Sequence, residues 1–158
     1  MDNELRQHLV QLLKGQGAHM DLEAAISEFP SSIGSSGVPG VSHTPWRLLE
    51  HMRIAQSDIL EFCRNPEHVS PEFPAGYWPG EGMVGGETDW SRTASSFLED
   101  LKAMQEYVLD PGTDLFVQIP HGDGQTVLRE ALVVADHNSY HLGQIMVIRR
   151  ACESLARS

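Results

Sequence analysis

The stretch Trp90-Ser91-Arg92-Thr93-Ala94-Ser95-Ser96-Phe97-Leu98-Glu99-Asp100-Leu101-Lys102-Ala103-Met104-Gln105-Glu106-Tyr107-Val108 decides the fold class. Trp90, Ala94, Phe97, Leu101, Met104 and Val108 alternate steps of four and three. That is the period of a helix with one buried face. Asp110-Pro111-Gly112 stops it, so a helix is predicted from about Asp89 to Leu109.

Three more helical patterns lie around it. The first runs from Asp2 to Lys14, with Leu5, Leu9 and Leu12 on one stripe, until Gly15 and Gly17 interrupt it. A short piece with Leu22, Ala25, Ile26 and Phe29 stops at Pro30, and Ser31–Ser42 reads as a loop. The second long helix opens on Thr44 as N-cap and Pro45 in its first turn. Leu48, Met52, Ala55, Ile59 and Phe62 then recur until Asn65-Pro66. After an extended piece at Asp114–Pro120 and a turn at His121-Gly122-Asp123-Gly124, the last helix runs from near Thr126 to about Glu153. Four such helices predict an all-α four-helix bundle, one domain over residues 1–158, with sites built from side chains on facing helices.

Composition narrows the function classes. Apolar residues make up 41% and charged residues 21%, an ordinary globular balance. Net charge is −11, and residues 65–125 carry eleven acids against two bases. Nucleic-acid binding needs a basic footprint, so that partner is not expected. No basic amphipathic helix or long apolar run points to a membrane. Met1-Asp2-Asn3-Glu4 lacks the features of a signal peptide, so a cytoplasmic protein is expected. Cys63 and Cys152 are isolated in helical patterns and read as reduced, buried thiols.

The connection from about Asn65 to Glu87 holds four prolines and five glycines. A connection this long is often a lid or binding loop. Phe73, Tyr77 and Trp78 predict that it is ordered and packs down between the second and third long helices. Tyr77 and Trp78 either wall a pocket mouth or anchor the connection.

His137 and His141 sit four residues apart inside the last helix. At about 100° per residue they share a face, so both imidazoles reach one metal ion. Val134, Ile145 and Ile148 fall near that face, which turns the pair toward the core. Adjacent buried imidazoles are awkward unless something binds them. A third ligand has one good candidate, His51, beside Leu48, Met52 and Ala55; on the residues alone it reads equally as a hydrogen-bonded core histidine. His8, also helical, is weaker, and His19 and His121 read as surface residues. Gln144, Glu130 and Asp58 lie three or seven residues from these histidines and are candidates to orient a ligand or move a proton. The competing reading of Glu130 and Asp58 is a solvated carboxylate. Asp136 and Tyr140 read as a structural hydrogen-bonded pair.

Three segments carry a resemblance: Thr44-Pro45-Trp46-Arg47-Leu48-Leu49-Glu50-His51-Met52-Arg53-Ile54-Ala55-Gln56, Gly76-Tyr77-Trp78-Pro79, and Ala135-Asp136-His137-Asn138-Ser139-Tyr140-His141-Leu142-Gly143-Gln144 with Arg149-Arg150. Together they make the chain similar to the DinB/YfiT-like superfamily of metal-binding four-helix bundles. The resemblance implies an up-down-down-up topology and one divalent ion, zinc or nickel, on His51, His137 and His141. It also implies a metalloenzyme that uses a low-molecular-weight thiol on a small electrophile, in S-transfer or isomerisation, and a possible homodimer. Two rivals stay open. One is metal-dependent hydrolysis assisted by Glu130 or Gln144; the other is a non-catalytic, stress-associated metal-binding protein whose site a fourth protein ligand would close.

Overall fold

A computed structural model describes residues 2–157, whose regular elements are all helical with no strand among them. Five α-helices appear in order: α1 (Asp2–Leu13), α2 (Leu22–Ser27), α3 (Pro45–Arg64), α4 (Glu87–Leu109) and α5 (Val127–Leu155). Short 3₁₀ turns at Ser31–Ile33 and Ala75–Tyr77 punctuate the loops. One isolated bridge, Gln118 to Thr126, joins the ends of the last connection.

Local chemistry sets the helix starts. Thr44 is extended and its side chain accepts from Arg47 N at 3.3 Å, while Pro45 fills the first helical position. Thr126 does the same for α5 through Arg129 N at 3.2 Å. At α4 the Asp89 carboxylate reaches back to the Gly86 N–H at 2.9 Å, and the helix starts two residues before its predicted beginning.

The apolar stripe of α4 is buried at Trp90, Phe97, Leu101, Met104 and Val108. It packs against α3 and α1, and both of those also pack against α5. Phe29, just beyond α2, stacks on Trp90 with ring centroids 4.1 Å apart. Among the described residues no helix is long and apolar enough to cross a membrane.

Two sequence expectations are corrected. On α1 the buried arc is Arg6, Leu9, Val10 and Leu13, and Leu12 is 46% exposed. The arc is centred on a charged side chain that a count of apolar residues passes over. The Arg6 guanidinium donates to the carbonyls of Val108 (2.6 Å), Asp110 (2.9 Å) and Thr113 (2.8 Å), satisfying groups that the end of α4 leaves over. Of the three aromatic side chains in the long connection, Phe73 is 83% exposed, and Tyr77 and Trp78 pack inward.

Candidate metal centre

The buried face of α5 is apolar except at Glu130 near its start and in its middle, where Asn138 and His141 are buried and His137 is half-buried. His51 arrives opposite them from α3. The ligand-capable atoms of His51, His137 and His141 all lie within 4.8 Å of one another. His51 Nε2 and His137 Nε2 are 3.0 Å apart. Two nitrogens on one tetrahedral ion at ~2.0 Å sit about 3.3 Å apart, so the spacing suits shared coordination.

Each ring is oriented by its own partner. His51 Nδ1 lies 2.7 Å from the Tyr77 carbonyl oxygen, and a nitrogen facing a carbonyl must carry the proton. His141 Nδ1 likewise donates to Gln144 Oε1 at 2.9 Å. Both rings therefore present a bare Nε2 lone pair to the centre, as a metal requires. Beneath His137, Asn138 Nδ2 donates to Gln56 Oε1 (2.8 Å), and Gln56 Nε2 donates to the Phe97 carbonyl (2.8 Å). Asn138 Oδ1 is buried and has no hydrogen-bond partner among the described residues.

The three imidazoles are held neutral. Burial lowers the pKa of each, and for His137 burial, with the neighbouring His141 and His51, pushes it down to about 4. The unfolded chain takes up these protons below about 6.5, the folded metal-free chain only at lower pH. This stability is therefore full above about 6.5 and is lost as pH falls toward 4. Thermal melts of metal-free protein between about pH 7.5 and about pH 4.5 should show Tm falling through that window. The fall should be shallower in His137→Asn; parent and variant falling alike would contradict the assignment.

The connection between α3 and α4 closes over one side of the triad, and α3 holds it at three points on one face. Arg47 donates to the carbonyls of Pro79, Gly80 and Met83 at 3.0–3.1 Å. His51 holds the Tyr77 carbonyl. Asp58 accepts from the Tyr77 hydroxyl at 2.6 Å and from His68 Nε2 at 2.7 Å. Burial and the Asp58 carboxylate push the Tyr77 phenol up to about 12, so it stays a donor. Asp58 is thus a buried anchor rather than a solvated carboxylate. It acts on the centre through Tyr77. Asp58→Ala should weaken metal binding by about 10- to 100-fold, as loss of a ligand's support does, with a smaller loss in Tyr77→Phe. Competition titration against a chelator reads both, and unchanged affinities would refute the coupling.

Trp78 lies flat against His51, with centroids 4.0 Å apart and planes 3° apart, and stacks equally on His43 at 4.2 Å and 19°. It is a wall of the centre. Tyr140 is 64% exposed and rests edge-on against His141, where a bond to Asp136 had been expected. Two open hollows flank Tyr140. One, of about 590 Å³, is lined by Leu132, Asp136 and His137; the other, of about 630 Å³, by His43, Gln144 and Val147. Neither is lined by Tyr77 or Trp78, which back His51 through a backbone hydrogen bond and a ring stack.

Glu130 is not brought to the centre. Two helical turns, about 10 Å of rise, separate it from His137. It is buried beside Cys63 and paired with Arg129. Burial and the Glu130 charge push the Cys63 thiol up to about 12, which keeps it an inert thiol. His121 donates to the Phe62 carbonyl at 2.7 Å, His19 sits between Met20 O and Ser139 Oγ, and His8 is exposed; all three lie away from the triad. Sequence reasoning missed His43, Arg47, Gln56 and Asn138. Asn138 carried the one available signal, a carboxamide on the inward face between two candidate ligands.

Compared with protein-family models, curated proteins and solved structures, the chain matches none. Its chemistry is therefore read from the centre itself. Among the described residues the cluster holds three histidines and no fourth His, Cys, Asp or Glu. Three neutral nitrogen ligands suit a borderline divalent ion and leave coordination positions for an outside molecule.

Proposed function

We propose that this chain is a metal-dependent enzyme of the DinB/YfiT-like kind, a four-helix bundle that acts on a small electrophile with a low-molecular-weight thiol. The observation that carries the reading is the open three-histidine cluster, with no fourth protein ligand among the described residues, beside hollows of ligand size. A non-catalytic metal store would be expected to close the site with its own side chain. Zinc or nickel fits the all-imidazole donor set.

When bound, the ion supplies Lewis acidity and favours the deprotonated form of a thiol or water. His51, His137 and His141 hold it. Gln144 and the Tyr77 carbonyl fix the tautomers of His141 and His51. Trp78 keeps solvent off the His51 face. No buried carboxylate stands at the centre to serve as base for hydrolysis, which favours thiol transfer over the hydrolytic reading.

The test is a rate measurement on zinc- and nickel-loaded protein with glutathione or mercaptoethanol and chlorodinitrobenzene. In that reaction sulfur bonds to carbon, chloride leaves and the thiol proton passes to solvent. The proposal expects a rate that depends on the metal and stands at least about tenfold above metal-free protein, which is about 1.4 kcal/mol of barrier. Loaded protein that hydrolyses esters but ignores every thiol would replace it with the hydrolase reading.

A further inference from the structure

The hollow between α5 and the loop before α3 has properties that the metal cluster alone does not explain. Val41, Leu48, Val147 and Ile148 supply its apolar wall, and its lining contains no Asp, Glu, Lys or Arg. This is unusual on a chain with net charge −11. Its polar lining is Ser42, His43, Tyr140 and Gln144. Gln144 is bonded to His141, and His43 is stacked on the Trp78 that covers His51. His43 Nδ1 is itself buried, with no hydrogen-bond partner among the described residues, so it is the rest of the ring that lines the hollow. An apolar body with a few convergent polar groups is the usual make-up of a small-molecule site, and about 630 Å³ lies within the usual range.

Gly143 forms part of the floor. It lies on α5 two residues beyond His141, and a Cβ built on it meets nothing within 4 Å. Glycine inside a helix costs about 1 kcal/mol relative to alanine. Here it leaves the hollow open beside a candidate ligand, with no packing reason for a missing side chain.

We propose that this hollow binds an uncharged small molecule with an aryl or branched-alkyl body, oriented by Gln144 and His43 so that its polar end faces the three histidines. The second hollow carries Arg129 and Asp136, so of the two only the first has an uncharged lining. The binding claim stands by itself; the direction of the polar end rests on the metal-enzyme reading.

The experiment has two arms on the full chain. In the first, neutral N-phenylnaphthylamine is titrated by fluorescence into metal-free parent, Gly143→Phe and Leu132→Phe. Saturable binding is expected in the parent and in Leu132→Phe, weakened about tenfold or more in Gly143→Phe, the scale of a blocked apolar pocket. The open space at Gly143 means the variant folds, and its melting curve checks this. In the second arm, cobalt-loaded protein is titrated with phenylmethanethiol and with mercaptoethanesulfonate while the cobalt absorption is followed. The aryl thiol is expected to bind about tenfold tighter, with the preference lost in Gly143→Phe. Cobalt uptake without any preference, or N-phenylnaphthylamine binding unaffected by Gly143→Phe, overturns the inference. Failure to take up cobalt sinks the metal reading instead, while the first arm still decides the hollow.

Discussion

His137→Ala should reduce metal affinity on the order of a thousandfold, about one ligand's share of the binding energy of a structural zinc site. His137 is the pivot of the cluster. Its Nε2 lies 3.0 Å from that of His51, and it shares an α5 face with His141. Removing it leaves two ligands on different helices, too few to strip water from a divalent ion. His141→Ala should come close to the same loss. Gln144→Ala, which frees a ring but removes no donor, should cost only about 10- to 100-fold. Competition with a chelator of known affinity measures all three. A His137→Ala protein that binds as tightly as the parent would mean that the histidines are core polar groups.

Gly85→Ala should lower Tm by roughly 10 °C, from about 3 kcal/mol of destabilisation in a domain of this size. Two costs combine. Gly85 has φ +70°, where a side chain costs about 1–2 kcal/mol. A Cβ there would also lie 2.1 Å from Trp46 Cδ2, in a ring only 2% exposed. Trp46 cannot retreat easily, because its Nε1 donates to Thr93 Oγ1 on α4. Overpacking of this kind adds about 1–3 kcal/mol. The connection that carries Tyr77 and Trp78 ends here, so the variant should also bind metal more weakly. Calorimetry checks the first effect; a Tm within about 2 °C of the parent would contradict it.

The helices and the His137–His141 pair were legible because they rest on short-range rules; on the residues alone His51 read equally as a core histidine, and the resemblance singled it out as a ligand. The step pattern of α4, the Thr44-Pro45 start of α3 and the spacing of His137 and His141 each need only a few neighbouring residues. What stayed hidden depends on tertiary partners. Nothing local says that Arg6 finds three carbonyls, and so a buried position, while Leu12 turns outward. Glu130 has the phase of His137 but lies two turns away, and helix phase carries no information about height. His43 reaches the centre only through Trp78, from a different segment. Arg47, His51 and Asp58 do share one face of α3, yet the sequence does not show that this face holds a loop.

Elemental analysis of the untagged parent, purified without chelator and again after reconstitution with zinc or nickel, tests the central claim most directly. Near one divalent ion per chain is the result expected of a three-histidine centre. A protein that remains metal-free after reconstitution would contradict it and leave His51, His137 and His141 as a neutral polar cluster in a helical core.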